Sequence, residues 1–125
     1  MVAQRLSILS VLFLTACYAQ ASKPVVEIDN NLSDCIKIEK NEITNFSNII
    51  SMKLDYSILK PTAECGCKSM ISSYSSFIYI DKHQSGLISG KLVFDSRSID
   101  IPLALNAKLI DKNTVHVSIS CALAE

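Results

Sequence analysis

Several features that would assign the chain to a familiar class are missing from its 125 residues. Tryptophan is absent, and glycine and proline occur only three times each, which excludes collagen-like and low-complexity chains. Twelve Lys and Arg are balanced by twelve Asp and Glu, so the basic surplus that phosphate binding normally requires is also absent. The length allows one domain of ordinary size, and 49% hydrophobic residues are enough to form a core. We therefore expect a single globular domain with no nucleic-acid partner.

A run of apolar residues long enough to span a membrane is missing as well. The longest candidate, Leu6–Leu14, has nine residues, whereas a spanning helix needs about 20. Its length and the single charge before it, Arg5, are typical of a secretory signal peptide. A lipobox-like Leu-Thr-Ala-Cys motif ends at Cys17, which predicts removal of residues 1–16 and lipidation of Cys17. An Ala-Gln-Ala site offers the alternative of cleavage before Ser22.

The two cleavage sites predict different destinations. A lipidated Cys17 would anchor the chain on the periplasmic face of a bacterial outer membrane, because Tyr18 replaces the aspartate that signals inner-membrane retention in bacterial lipoproteins. Cleavage before Ser22 would instead give a soluble periplasmic or secreted protein. In the first case residues 17–31 form a flexible tether, and residues 32–125 form a single β-rich domain.

Four cysteines remain beyond Cys17, an even number that favours disulfides in an oxidising compartment. They are Cys35, Cys65, Cys67 and Cys121. Of the three possible pairings, the one that joins Cys65 to Cys67 closes a very tight ring and is disfavoured by disulfide geometry. The other two pairings both link the Cys65–Cys67 segment to Cys35 and Cys121, and the sequence leaves the choice between them open.

Alternation of apolar and polar residues recurs along the mature chain. It is clearest in Met52–Ile58, Ile99–Leu105 and Val115–Cys121, where every second residue is apolar, as in half-buried strands. No segment keeps a helical period for more than two turns. We therefore predict an all-β fold stabilised by disulfides, either a small antiparallel sandwich of the immunoglobulin-like kind or a barrel of six to seven strands.

Local signals give four further expectations. The polar turn Asp95–Ser98 predicts a hairpin between the strands around it. Pro102 within a strand pattern predicts an edge strand or a bulge. The segment Asn41–Ile50 has no clear pattern and predicts a loop or one helical turn. Cys65 and Cys67, two residues apart, are expected on one face of a strand.

The Cys65-Gly66-Cys67 spacing is the most distinctive candidate site. Two thiolates at this spacing can hold Cu(I) with help from methionine or histidine ligands. The residues available for that role are Met52, Met70, His83 and His116. Four cysteines in an exported chain favour half-cystines instead, so a metal site at Cys65 and Cys67 is the alternative and no cofactor is predicted.

Catalytic groups are not brought together by the sequence pattern. His83 lies in a polar loop, and His116 shares a strand face with Ser118 without a nucleophile elbow or an oxyanion motif. We therefore predict surface histidines and a protein that is not an enzyme. The hydroxyl-rich stretch Ser72–Ser76 and the loop Asp81–Gly86 are the predicted contact segments for a partner. The four tyrosines are too dispersed to predict a stacking platform.

The lipobox-like motif at Cys17, the small β-rich domain and the cysteines around Cys65-Gly66-Cys67 together resemble small bacterial periplasmic lipoproteins of uncharacterised families. Two functional groups share this general architecture: inhibitors of lysozyme-like enzymes, and immunity proteins that neutralise type VI secretion effectors. The resemblance implies a non-enzymatic binding lipoprotein with a protein partner in the periplasm, such as a toxin or a cell-wall hydrolase whose active site it occludes. The alternatives are a copper-binding envelope protein that uses Cys65 and Cys67, and a structural envelope lipoprotein.

Overall fold

In the computed structural model, which describes residues 23–123, the chain folds into a sandwich of two β-sheets. Within this region seven strands and two short 3₁₀ turns follow one another. The strands are β1 (Val26–Asn30), β2 (Ile36–Phe46), β3 (Ile49–Ile58), β4 (Ile71–Ile80), β5 (His83–Val93), β6 (Ser98–Ala104) and β7 (Val115–Cys121). The 3₁₀ turns are Thr62–Cys65 and Ala107–Leu109. The prediction of a small all-β sandwich stabilised by disulfides is confirmed.

The described strands divide unequally between the two sheets. Sheet A contains four strands in the order β1-β7-β4-β5, and sheet B contains three in the order β2-β3-β6. Each neighbouring pair in residues 23–123 is antiparallel except β1 and β7, which run parallel. Pro102 lies in β6, an edge strand of sheet B, as a proline within a strand pattern predicts.

The hairpin predicted around Asp95–Ser98 is not formed, because β5 belongs to sheet A and β6 to sheet B. The turn crosses from one sheet to the other. It is held against sheet B by Tyr56, whose backbone N–H donates to the Arg97 carbonyl at 3.0 Å and whose hydroxyl accepts from the Ser96 N–H at 3.1 Å. A short polar turn is compatible with a hairpin within one sheet and with a crossover between two sheets. The hydrogen bonds from Tyr56 of β3 favour the crossover.

The segment Asn41–Ile50, predicted as a loop or a helical turn, forms a long β-hairpin instead. Strand β2 continues to Phe46, and β3 starts again at Ile49 after a two-residue turn. Both turn residues, Ser47 and Asn48, have positive φ values of 51° and 67°, as the tight primed turns of hairpins require. Most of the outer half of β2 is exposed on both faces, so its sequence shows no alternation.

The core lies between the sheets and is filled by the inward-facing residues of β3, β4, β6 and β7. In β3 the buried positions alternate from Ile50 to Tyr56, and in β7 they alternate from Val115 to Ile119. Burial of one face only is what produces the period of two in these segments. The turn Ala107–Leu109 connects the sheets, and the next residue, Ile110, is buried against the core.

The N-terminal boundary of the fold lies earlier than the sequence indicated. The tether was predicted to reach residue 31, but Val26–Asn30 form β1, which adds a parallel strand beside β7. The reason is that Val26 and Ile28 pack against the core, which alternation over only five residues did not reveal. The predicted signal peptide, Cys17 and residues 17–22 of the tether lie outside the described residues. Within residues 23–123, no helix has the length and the apolar character needed to cross a membrane.

The sandwich has two distinct ends. At the first, which we call the disulfide end, β2, β4 and β6 begin and the other strands finish. At the opposite end, which we call the tether end, β1 begins and the hairpins β2–β3 and β4–β5 turn. Lys23 and Pro24 lie there beside β2, where they line one cavity together with residues 42–45 and Ile50.

Candidate functional site

The four cysteines of the domain form two disulfides within the described region, both at the disulfide end. Cys35 pairs with Cys65, and Cys67 pairs with Cys121, with Cα–Cα distances of 6.2 and 5.1 Å. The structure therefore selects one of the two pairings that the sequence left open. The bridges attach the β3–β4 connection to the start of β2 on one side and to the end of β7 on the other.

The local conformation of Cys65-Gly66-Cys67 differs from the prediction of a shared strand face. Cys65 ends the 3₁₀ turn Thr62–Cys65, and Gly66 has a φ of 89°, so the chain reverses between the two cysteines. A left-handed conformation is accessible to glycine at little cost, which lets the sulfurs leave in different directions. Sequence spacing alone cannot separate this turn from a strand.

The copper site considered for Cys65 and Cys67 requires free thiolates, and both sulfurs are committed to different disulfides. The helper ligands are also scattered: Met52 is fully buried in β3, and Met70 is exposed at the disulfide end. Among residues 23–123, no three His, Cys, Asp or Glu side chains are grouped closely enough to hold a metal ion. The metal alternative is therefore set aside.

The hydroxyl-rich stretch Ser72–Ser76, predicted as a contact segment, lies inside β4 in the middle of sheet A. Ser72 and Ser76 point into the core and are 0% and 1% exposed. Only the alternate residues Ser73 and Ser75 reach the outer face, where they are half-buried. The segment is thus a structural strand rather than a projecting loop.

Two inward-facing side chains of β4, Tyr74 and Ser76, connect the two sheets. The Ser76 hydroxyl donates to the Leu103 carbonyl at 2.6 Å and accepts from the Ile88 N–H at 3.1 Å, beside a register shift between β4 and β5. The Tyr74 hydroxyl donates to the Pro102 carbonyl at 2.9 Å. Burial raises the pKa of the Tyr74 phenol above its ordinary value of 10.0.

The second predicted contact segment, Asp81–Gly86, is also mostly strand. Only Asp81 and Lys82 form the turn, with positive φ values of 49° and 68°, and β5 begins at His83. The loop expected from the polar composition is therefore a tight two-residue hairpin turn at the tether end. His83 is exposed there, as predicted.

His116 has a more structured environment than the predicted surface histidine. Its ring stacks on Phe77 with a centroid separation of 5.3 Å, and Tyr79 meets it edge-on at 5.1 Å. The Glu27 carboxylate lies 3.4 Å from its Nδ1. Strand β4 places Phe77 and Tyr79 on the same outer face, and Phe77 pairs with His116 of β7, which brings the three rings together. The cluster forms one row of sheet A and contains no nucleophile.

The disulfide end contains an apolar groove with a volume of about 560 Å³. Its floor is formed by the buried side chains Ile36 and Phe94. Its walls are three exposed apolar residues of the connections that meet there: Ile58, Leu59 and Met70. This volume lies within the range of roughly 300–1,000 Å³ that is typical of ligand sites.

The walls of the groove are fixed by covalent and hydrogen bonds. The Cys35 carbonyl accepts from the N–H groups of Leu59 and Lys60 at 2.7 and 3.3 Å, next to the Cys35–Cys65 bridge. Phe94 packs edge-on against Tyr56 at 4.9 Å, which supports the floor from below. Met70 is different, since it is 73% exposed and its long thioether chain adapts to what it contacts.

Charges are confined to the rim of the groove. Lys60 and Asp95 line it on two sides, and both are exposed. Ile71 follows Met70 in the chain and Val93 precedes Phe94, and these two residues pair across β4 and β5 and are also exposed. Clustered exposed apolar residues are typical of a protein contact surface.

Sequence reasoning missed this groove because its residues come from four separate segments. The available signal was the pair of apolar dipeptides Ile58-Leu59 and Met70-Ile71, which flank the cysteine turn where β3 ends and β4 begins. Apolar residues next to a turn lie at the end of their strand, outside its alternating pattern. Their exposure to solvent beside the turn could therefore have been predicted.

Fold and site together define a small disulfide-bonded β-sandwich with an apolar groove at one end. The model of the family described as "Uncharacterized protein conserved in bacteria (DUF2195)" matches residues 11–124. The chain therefore belongs to this bacterial family. Searches of curated proteins and of solved structures found no match to the chain.

Proposed function

We propose that the protein is a non-enzymatic periplasmic binding lipoprotein, an inhibitor or immunity protein whose groove at the disulfide end contacts a protein partner. The observation that carries the proposal is the apolar groove lined by Leu59, Met70 and Phe94, of which the first two are exposed, with the exposed Ile71 directly after Met70 in the chain. Water-exposed apolar area of this kind is unfavourable in the free protein and becomes favourable when a partner covers it.

Several observations support a binding role rather than catalysis. Within the described residues, neither histidine side chain forms a hydrogen bond to a hydroxyl group, and the ring of His116 is occupied by Phe77, Tyr79 and Glu27. The Cys35–Cys65 bridge stiffens the groove before binding, which reduces the ordering cost on association. In this proposal the turn Asp95–Arg97 and the β3–β4 connection beside the groove enter a partner's cleft.

The disulfides also support export. Disulfides persist in oxidising compartments such as the periplasm and are rare in the cytosol. The lipobox-like motif at Cys17 supplies the anchor in this proposal. The class of partner, a toxin or a cell-wall hydrolase, follows from the resemblance to small periplasmic lipoproteins described above.

The test compares two matched leucines at opposite ends of the molecule. Leu59, in the groove wall, is 55% exposed, and Leu109, at the tether end, is 51% exposed. Leu59→Asp places a charge in the apolar contact, whereas Leu109→Asp makes the same chemical change away from it. Both sites are solvent-exposed, so the free protein should fold equally well in the two variants.

Envelope proteins captured by the wild type are identified, purified and bound again pairwise to each variant by calorimetry. The expected result is that Leu59→Asp weakens the pairwise Kd at least about tenfold, while Leu109→Asp changes it little. Equal affinity of the two variants would remove the groove from the contact. Failure to reconstitute any pairwise complex would instead favour a structural envelope lipoprotein.

A further inference from the structure

The exposed apolar residues of the described region that do not belong to the groove gather mainly at the opposite end of the sandwich. They lie at the hairpin tips, at the start of β1 and in the connection from β6 to β7. We call them the tether-end patch: Val25, Phe46, Ile49, Ile80, Leu105 and Leu109. The most exposed large side chain among them is Phe46, at 80%. From this placement we propose that the tether-end patch rests on the phospholipid bilayer and that the groove faces away from the membrane.

The register of the strands shows that these residues occupy one end. Ile50 pairs with Ala104, so Ile49 and Leu105 are adjacent just beyond the last pair of β3 and β6, and Ile49 pairs with Phe46 on its other side. The Val115 N–H donates to the Val25 carbonyl at 2.9 Å, which places the start of β1 beside the start of β7. Apolar side chains on several neighbouring tips form a surface that can enter the interface between headgroups and acyl chains.

Lysines accompany the apolar residues at this end. They are Lys23, Lys82, Lys108 and Lys112, and all four are exposed. Asp81 and Asp111 lie next to two of them in the same turns, so the net positive charge is small. Lysines near an anionic membrane surface add attraction, and their long apolar stems can lie along the interface.

The reach of the chain limits how the domain can sit on a membrane. Lys23 is six positions after Cys17, and covalent geometry allows this stretch to span at most about 22 Å. Strand β4, with ten residues, is about 33 Å long, so the disulfide end is farther from Lys23 than the tether can reach. A lipid on Cys17 therefore keeps the tether end near the bilayer. This step rests on the lipid anchor of the proposed function.

In this proposal the tether end contacts the membrane and the disulfide end contacts the protein partner. The outer face of sheet A is less suited to lipid, because it carries the hydroxyls Ser73, Ser75 and Ser118 and the carboxylate Glu27. The end of the sandwich, rather than its side, is the apolar surface next to the tether. The groove is then presented to the periplasm, where a soluble partner can reach it.

The chain contains no tryptophan, so a single introduced tryptophan is the only source of tryptophan fluorescence. Leu109→Trp reports on the tether end, and Leu59→Trp is the matched control at the disulfide end, with nearly the same exposure. Each full-length protein is purified from membranes and reconstituted into vesicles of phosphatidylethanolamine and phosphatidylglycerol that contain a brominated phosphatidylcholine. Quenching by bromine reports contact with the acyl chains.

We expect Leu109→Trp to lose most of its fluorescence, with a shift to shorter wavelength, and Leu59→Trp to stay unquenched. Equal quenching, or stronger quenching of Leu59→Trp, would overturn the proposed orientation. Flotation and intact mass of the same preparations report separately whether Cys17 carries a lipid. If it does not, the anchor fails, and the two proteins are added to the same vesicles as soluble proteins. Selective quenching of Leu109→Trp would then still support the patch, and no quenching would exclude it.

Discussion

At the scale of single residues, the position of Tyr74 explains why a glycine lies opposite it in the sheet. Gly90 is its partner in β5, and a Cβ atom built on Gly90 would lie 2.9 Å from the Tyr74 ring. The ring therefore covers the glycine backbone, and its hydroxyl reaches Pro102 on the other sheet. The hydrogen bond between Tyr74 and Pro102, which joins the sheets, therefore depends on the absence of a side chain at Gly90.

Gly90→Ala is expected to lower the free energy of unfolding by about 1–3 kcal/mol, because the ring must move and its bond to Pro102 is disturbed. Gly86→Ala in the same strand is the matched control, since a Cβ there meets nothing within 4 Å. Urea denaturation followed by circular dichroism gives both values. If the two variants are equally stable, the close approach of Tyr74 does not constrain the fold.

Replacing two different serines of β4 by alanine is expected to change the free energy of unfolding in different ways. Ser76→Ala removes the bonds to Leu103 and Ile88, and we expect a loss of about 1–3 kcal/mol in unfolding free energy. Ser72 has a buried hydroxyl with no hydrogen-bond partner among residues 23–123, so Ser72→Ala should leave stability unchanged or raise it. Chemical denaturation of both variants is the measurement. A similar loss in both would mean that the hydroxyls do not act through these bonds.

The raised pKa of Tyr74 predicts a dependence of stability on alkaline pH. The folded protein retains the phenol proton while the unfolded chain loses it near pH 10, so this contribution is complete below that pH and is lost as pH rises. Tyr74→Phe should lose about 1 kcal/mol at neutral pH with its hydrogen bond, but its stability should fall less steeply between about pH 9 and 11. Denaturation midpoints across this range give both slopes. Parallel slopes would show that Tyr74 does not titrate differently on folding.

At the scale of secondary-structure elements, the disulfides hold the β3–β4 connection to two strands. They close segments of 30 and 54 residues, which in a loop-entropy model contribute about 3.6 and about 4.2 kcal/mol. We expect Cys35→Ala/Cys65→Ala and Cys67→Ala/Cys121→Ala each to lower unfolding free energy by about 3–4 kcal/mol.

Hydrogen exchange separates the local roles of the two bridges. The first double variant should lose amide protection at Leu59 and Lys60, because the Cys35 carbonyl that accepts from both N–H groups is no longer held by the bridge to Cys65. The second should keep that protection and lose it near Cys121. A cost below about 1 kcal/mol for either bridge, or the same exchange pattern in both variants, would contradict this assignment.

The elements that the sequence predicted well are those with one buried face. Strands β3 and β7 alternate because their inner residues fill the core and their outer residues meet water. The outer half of β2 escaped prediction since both its faces are exposed, and β4 was misjudged because Ser72 and Ser76 occupy inward positions. The polar composition of β4 suggested an exposed contact segment, whereas hydrogen bonds across the sandwich make a buried serine compatible with a central strand.

The candidate site was predictable only in its cysteines. Their number and spacing indicated two bridges, and the three-dimensional structure was needed to pair them. The groove joins Ile36, Leu59 and Phe94, which are far apart in sequence and meet only because β2, β3 and β5 share the disulfide end. Contacts of this kind depend on strand order, which local patterns do not encode.

At the scale of the whole molecule, the processing of the N-terminus decides whether the two apolar ends have the roles proposed for them. Cleavage before Cys17 with lipidation keeps the tether short, whereas cleavage before Ser22 leaves the same domain without an anchor. Both forms contain the two bridges of the described domain, so a count of cysteines alone does not distinguish them.

Intact mass of the protein purified from a bacterial envelope, with and without alkylation, distinguishes the forms. We expect a chain that starts at Cys17, carries a diacylglycerol-type addition and reacts with no alkylating agent before reduction. After reduction, four cysteines should react: Cys35, Cys65, Cys67 and Cys121. Cys17 should not react, because its sulfur is blocked by the lipid. A chain that starts at Ser22 would give the same four reactions without the lipid mass and would remove the anchor. Reactive thiols at Cys65 and Cys67 before reduction would contradict the disulfides that fix the groove.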